Sequence, residues 1–380
     1  MKLHELTPNQ FTRVQSLFSK QTAHHLFCAG VLAGKYPGKV IVDNPEHPRS
    51  ALLYKPGVWC YLGGDATNAA FNRALSDALS AKQYIGEKAG TLLFVDSTDG
   101  WREVLDTLIV DRLPIATPRM LYLANRDHFA NNNHVSAPMP LPDGFSLHFI
   151  DESLKAEVQS ELPGDVKNVL ELRANSAEPD QAAFGYVALR GRECVSWSMV
   201  DVIVGTHGEI GLVTAPLFRR QGLGMAVSGA TIRYGLAHGL DSIHWDVVSH
   251  NTASVQMAKK HGLQFSLSYD QNLLIFNEMS YVGNLAYHHL DNDRFQDGLD
   301  VCETLIDLEN GRKFAHFLSG AAWAGLGEKE KAFQQLNQAL EHGWDDLTDI
   351  QNISSLKILH GTAEWEGILA RVKGNIQKGK

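Results

Sequence analysis

The chain has 380 residues, enough for two or three domains, and its 44% hydrophobic and 20% charged content describes an ordinary globular protein. A formal charge of −9 argues against nucleic-acid and membrane-surface binding, both of which favour a basic face. No run reaches the roughly 18 apolar residues of a membrane helix, no signal peptide is seen, and four scattered cysteines without a Cys-x-x-Cys pair fit a reducing cytoplasm.

Residues 1–130 read as an α/β domain. Phe11 to Phe18 is expected to be helical, as is Phe71 to Leu79, whose apolar residues recur at helical spacing. Lys39–Val42, Ser50–Tyr54, Trp59–Leu62 and Thr91–Val95 read as strands. Residues 131–144 are rich in Asn, Pro and Gly, which suit no regular element, and are expected to be a linker. From 145 to 277 the order is strand, helix, several strands, then helix, strand, helix, strand, which predicts a mixed sheet flanked by helices. Its strands are Phe145–Ile150, Gly185–Leu189, Glu193–Met199, Glu209–Thr214, Ile243–Val248 and Phe265–Tyr269. Its helices are Leu154–Ser160, Asp165–Arg173, Met225–Ala237 and Ala253–His261.

Residues 278–380 read as all-helical and repetitive. Ala286, Gly298, Cys302 and Leu305 recur 34 residues later as Gly320, Ala332, Leu336 and Ala339, and a last helix is expected around Glu364–Val372. The period and the small residues resemble tetratricopeptide repeats. The histidines include the adjacent pairs His24-His25 and His288-His289, whose members point to different faces, and no His-Glu-x-x-His occurs, so no metal site is expected.

The stretch from 209 to 263 carries the chemistry. A β-branched run, Glu209-Ile-Gly-Leu-Val-Thr-Ala, stops at Pro216 and is followed by Arg219-Arg-Gln-Gly-Leu-Gly224 and a helix. A strand, a glycine-rich turn and a helix N-terminus together make an anion site, because backbone N–H groups converge where the helix dipole favours negative charge. Glycine at 222 and 224 permits close backbone approach to a pyrophosphate, and Arg219 and Arg220 can pair with phosphates.

Arg219-x-x-Gly222-x-Gly224 in this setting, followed by Asn251-x-x-Ser254-x-x-Met257-x-x-Lys260-x-Gly262-Leu263, resembles the GNAT acyltransferase superfamily. The match covers 185–269 and more loosely 145–276. Ile243-His-Trp-Asp246 with Asn251 and Ser254 resembles the branch related to zwittermicin A resistance proteins. In that branch the core follows an N-terminal region like the one here, a degenerate GNAT-like half. The resemblance implies acetyl-CoA as cofactor, held by Leu212, Val213, Thr214, Arg219, Arg220, Gln221, Gly222, Leu223, Gly224, Met225, Asn251 and Ser254. It also implies an amine acceptor and, from the glutamate at the strand start, Glu209 as general base. Asn251 has a second reading as the cap of Ala253–His261.

Ala258 stands where many such enzymes carry a proton-donating tyrosine. Ser249, His250, Ser254, Tyr269 and Tyr281 are the remaining candidate donors. Trp245 and Asp246 alternate along a strand and face opposite ways, one of them toward an acceptor cleft. The expected function is acetyl transfer to a small-molecule amine. The alternatives are an acetyl-CoA sensor or scaffold, and a protein acetyltransferase, with the helical tail recruiting a protein partner.

Overall fold

The computed structural model describes residues 1–55, 59–84, 91–95, 100–108, 112–130, 140–176, 182–308 and 311–378. Residues 131–139 of the expected linker lie outside the described residues. The fold is mixed α/β with a helical C-terminal region, in line with the class read from the sequence.

Twelve strands form one sheet: β1 His4–Leu6, β2 Lys39–Val42, β3 Ser50–Tyr54, β4 Trp59–Gly64, β5 Thr91–Val95, β6 Ile115–Asn125, β7 Phe145–Phe149, β8 Phe184–Arg190, β9 Glu193–Val204, β10 His207–Thr214, β11 Ser242–Val248 and β12 Gln264–Ile275. Their order is β1-β2-β3-β4-β5-β12-β6-β11-β10-β9-β8-β7. The segments before and after residues 131–144 therefore exchange strands at the centre. β6 lies between β11 and β12, and β12 lies between β5 and β6.

Pro118 obscured β6 in the sequence, since proline is rare in a central strand. The ladder to β11 ends at Arg119–Val248, one residue short of Pro118; Pro118 itself has no N–H to give on that side, and its carbonyl accepts from Ser249 N at 2.8 Å just past the strand. β12 also runs to Ile275, past the expected end at Tyr269, because its second half pairs with β5.

The helices that matter here are α1 Leu26–Leu32, α2 Ala69–Ser80, α3 Trp101–Leu108, α4 Gly164–Ala174, α5 Leu223–Ala237 and α6 Thr252–Lys260. The expected helix near Phe11 is a 3-10 helix, Pro8–Phe18, entered through a capping box at Thr7 and Gln10. One sheet face meets α5 and α6, burying Ile243, Trp245, Val247, Ile232 and Leu236 together. On the opposite face the 3-10 helix and α1 pack with Phe11, Val14, Phe18 and Val31 against Leu53, Tyr61 and Tyr269. Alternation along β11 thus sends Trp245 to the α5 side and Asp246 to the α1 side.

The tail comprises α7 Glu278–Asp291, α8 Phe295–Asp307, α9 Arg312–Gly325, α10 Lys329–Glu341, α11 Leu347–Asn352 and α12 Ala363–Lys378. They enclose one core in which Phe317 stacks on Trp344 with ring centroids 3.9 Å apart. Ala286, Cys302, Leu305, Ala332, Leu336 and Ala339 all belong to it, and Gly298 and Gly320 are buried beside them.

Strand exchange gives a direct test. A chain cut by an engineered protease site between Ala130 and Pro140 is expected to elute from gel filtration as one particle with both fragments. Separate elution of the fragments under native conditions would contradict the interleaved sheet.

Candidate active site

The site begins where two parallel strands part. β10 pairs with β11 only over His207–Ser242, Gly208–Ile243 and Glu209–His244. A bulge between Glu209 and Ile210 then shifts the register of β10 on β9, while β11 continues beside β6 as far as Val248. Beyond Glu209 the edges of β10 and β11 that face each other form no mutual ladder. A gap with backbone donors and acceptors on its walls can take an extended, amide-bearing chain as a further strand.

At the end of β10 lies the loop expected to bind anions. Ser196 Oγ donates to Val213 O at 3.0 Å and lies 2.7 Å from Thr214 Oγ1, which fixes the strand end. Arg220 and Gly222 are both left-handed, with φ of 64° and 81°, and left-handed residues of this kind curl a backbone into a concave anion nest. The two glycines serve different ends. Gly222 is needed for its positive φ, since a Cβ there would meet nothing within 4 Å. At Gly224 a Cβ would sit 3.4 Å from Thr214 Oγ1 and from Met257 Cε, ordinary contact distance, so neither backbone conformation nor its protein neighbours require glycine there. Gly222 caps α5 without a side-chain bond, and the first intrahelical bond runs from Ala226 N to Gly222 O. The N–H groups of Leu223, Gly224 and Met225 thus head the helix as an anion site requires.

The other expected cofactor residues are engaged as follows. Arg219 Nε donates to Thr214 O at 3.1 Å, and the guanidinium lies in the field of Asp346 and Asp349 from the tail. Gln221 reaches back to Leu217 O at 3.5 Å. Asn251 caps α6 by accepting from Ser254 N at 3.1 Å, and Ser254 Oγ accepts from Trp245 Nε1 at 3.0 Å. Leu212 packs among the apolar residues beneath the sheet. Ala258 is fully buried, in the same core as Trp245.

On the α1 face, below the point of parting, a narrow pocket gathers residues far apart in sequence. Glu209, His244, Asp246 and Tyr269 come from one segment, and His24, His25, Phe27, Trp59, Tyr61 and Leu121 from the other. Glu209 has its pKa raised from 4.5 to about 7, first by burial and then by the neighbouring charges of Asp246 and Asp201. Asp246 is fixed on both oxygens. Arg119 Nε lies 2.8 Å from Oδ1, and the Tyr269 hydroxyl donates to Oδ2. Arg119 also bonds Gln271 Oε1 at 3.2 Å and lies 5.6 Å from the ring centre of Trp59. His25 packs edge-on against Tyr269 at 4.7 Å. Burial pushes both His25 and His244 from 6.5 down to about 4.

Of the candidate proton donors, Tyr269 reaches this pocket. Ser254 is bound to Trp245 and Asn251. His250 faces Asp291 of α7 at 3.4 Å, Tyr281 lies under Arg112 at 4.7 Å, and the Ser249 backbone donates to Pro118 O. Arg119, His25, Trp59 and Tyr61 were not found from the sequence. The period-two pattern of Arg119, Leu121 and Leu123 was the one available sign of β6.

The sequence profile of the GNAT acetyltransferase family matches residues 15–271, more than half of the chain and both exchanging segments. The chain belongs to the GNAT acetyltransferase family. A search of curated proteins returned no match. Similar solved structures include a GCN5-related N-acetyltransferase-like protein from Streptococcus suis 89/1591, at 21% identity and TM-score 0.49, covering 70% of this chain and 98% of that one. A GCN5-related N-acetyltransferase from Sphaerobacter thermophilus has 10% identity and TM-score 0.49, covering 73% and 96%. A tandem GNAT protein from the clavulanic acid biosynthesis pathway has 12% identity and TM-score 0.48, covering 73% and 99%. No described helix is long and apolar enough to cross a membrane.

The raised pKa of Glu209 has a thermodynamic signature. A carboxyl that keeps its proton in the fold to about pH 7 but loses it near 4.5 when unfolded makes the fold lose stability as pH rises between those values. In urea titrations the stability of wild type minus that of Glu209→Gln is expected to fall from pH 5 to pH 8. A difference independent of pH would show that the carboxylate is not strained by its site.

Proposed function

We propose that this protein is an acetyl-CoA-dependent N-acetyltransferase acting directly on the amine of a small molecule. The observation that carries the reading is Glu209, a half-buried carboxylate whose pKa is raised to about 7 at the point where β10 leaves β11. A general base works best with a pKa near the operating pH. The backbone nest at 220–225 and the open edge of Leu212-Val213-Thr214 suit the pyrophosphate and pantetheine arm of coenzyme A. Bound there, acetyl-CoA would supply an activated thioester: the amine nitrogen would bond to the carbonyl carbon as the C–S bond breaks, and the sulfur, leaving with the bonding pair, would take up the proton that the nitrogen sheds on becoming an amide.

Glu209 takes the proton that an ammonium must lose before its nitrogen can attack, directly or through water. Asp246 lies beside it, held by Arg119 and Tyr269, and its negative field helps to keep the Glu209 pKa high. A thiol is far more acidic than an alcohol or an amine, the cysteine thiol having a pKa of about 8.5, so a thiolate leaves readily. A tyrosine at position 258 is therefore not essential to the chemistry.

A small acceptor is favoured because the space beside Glu209 is confined, about 10 Å³ or room for roughly one water, between walls from two interleaved segments. The likeness to the zwittermicin A resistance branch points the same way. We read the tail as tetratricopeptide-like on its 34-residue register of buried small and apolar positions, with a protein partner as its expected ligand. A second reading, an acetyl-CoA sensor that signals through the tail, draws support from Asp346 and Asp349 in the field of Arg219 and from Asp291 beside His250.

Two variants separate binding from chemistry. Gly222→Val is expected to abolish acetyl-CoA binding in calorimetry, because valine resists a φ of 81°; unchanged affinity would remove the loop from the site. Glu209→Gln is expected to bind acetyl-CoA as wild type does while kcat falls about a hundredfold or more. Wild-type turnover in that variant would remove Glu209 as base.

A further inference from the structure

One side chain of the first segment reaches the backbone beside the fork. Val202 and Val200 of β9 face Glu209 and Ile210, so Asp201 is the extra residue of the bulge. β8 accompanies β9 only as far as Phe184–Val200, and among the described residues no strand lies beyond that point on the same edge. The Tyr36 hydroxyl takes the vacant place. It accepts from Ile203 N at 2.6 Å and donates to Ile203 O at 3.2 Å, with Asp201 O beside it at 3.4 Å. Ile203 is buried, and a buried backbone N–H without an acceptor costs free energy.

The ring of Tyr36 is seated as closely as its hydroxyl is bonded. Tyr36 follows α1, and a Cβ on Gly30 of that helix would fall 2.3 Å from the tyrosine Cδ2. Phe27, one turn earlier, has its ring centre 6.4 Å from that of Tyr36, and it lines the pocket beside Glu209. One tyrosine thus fastens α1, the pocket wall and the bulge in β9 together.

We propose that Tyr36 is a positioning residue for Glu209: its hydroxyl fixes the bulge at Asp201, and the bulge fixes the stretch of β10 from which the carboxyl projects. The inference rests on Glu209 as the base and adds the group that holds this base in place. Glu209 lies opposite Val202, between the two β9 residues whose backbone meets the hydroxyl. With the hydroxyl removed, the Ile203 N–H loses its acceptor, the bulge is free to relax, and water enters beside the carboxyl.

The test reads the Glu209 carboxyl and needs no acceptor. In urea titrations of the full chain across pH, the stability of wild type minus that of Glu209→Gln is compared with the same difference in a Tyr36→Phe background. Phenylalanine keeps the ring on Gly30, so the fold is expected to survive. The charged groups facing Glu209 are Asp201, Asp246 and Arg119, with His24, His25, His244, Tyr61 and Tyr269 as its titratable neighbours. All are present in both members of each pair, so their own titration drops out of the difference. In wild type the difference is expected to fall until about pH 7. In Tyr36→Phe the fall should level off about one pH unit lower, because a carboxyl closer to water ionises sooner. The same end-point in both backgrounds would overturn the proposal, since a hydroxyl that only supports the fold lowers both members of a pair alike. Acetyl-CoA affinity of Tyr36→Phe, by calorimetry, is expected to stay within about twofold of wild type, as Ser196 fixes the β10 end separately. A loss of roughly tenfold would make Tyr36 a support of the whole sheet and overturn its specific role. No fall even in wild type would contradict the raised carboxyl itself, and with it both the reading of Glu209 as base and this inference.

Discussion

The site depends on one constraint: β10 and β11 stay side by side for three residue pairs and then part. Each is held on its other edge, β10 by β9 through Thr214 and β11 by β6 through Val248. Neither strand can swing back without breaking a ladder of backbone hydrogen bonds. The bulge at Glu209–Ile210 falls at the fork itself. It bends the strand and places the carboxylate at the base of the gap, with the phosphate-type loop at its far end. A cleft between two strands that are rigid on their outer edges is preorganised, so little ordering remains for ligand binding.

The strand exchange explains why the pocket has the chemistry it does. Had β11 ended the sheet of its own segment, Asp246 would have met water. Instead β6 brings Arg119 alongside Asp246, and β12 brings Tyr269 to its other oxygen. The carboxylate is thereby hydrogen-bonded on both oxygens, and its field acts on Glu209. α1 and β4 of the first segment then close the space with rings. The first segment, whose sequence has no Arg-x-x-Gly-x-Gly, thus contributes a wall and a counter-charge.

Much of this was legible in the sequence and some of it was not, for identifiable reasons. The strand, turn and helix at 209–237 announce themselves locally, through β-branched residues, Pro216, and glycines whose backbone demands are intrinsic. Glu209 could be picked because it opens that strand. Asp246 could be placed on a strand but not on a face, since the face depends on which neighbours flank β11. β6 was lost because Pro118 breaks the strand pattern, and only the early end of the β11 ladder makes that proline tolerable. His25, Trp59 and Arg119 share no spacing with Glu209, because they meet it across an exchanged sheet. Helical periodicity in the tail was readable, yet its approach to Arg219 and His250 through Asp346, Asp349 and Asp291 was not.

The central claim is that Glu209 acts as a base whose pKa is set by Asp246 and its partners. Its most direct measurement is the pH dependence of kcat/KM for amine acetylation in wild type and in Asp246→Asn. The wild-type profile is expected to rise through about pH 7, as the Glu209 carboxylate ionises. Removing the Asp246 charge takes away a repulsion and leaves Arg119 unpaired, and both changes favour the ionised carboxylate. The acidic limb of the variant should therefore move to lower pH, even if its maximal rate is reduced. A limb that stays where it is in wild type would contradict the account.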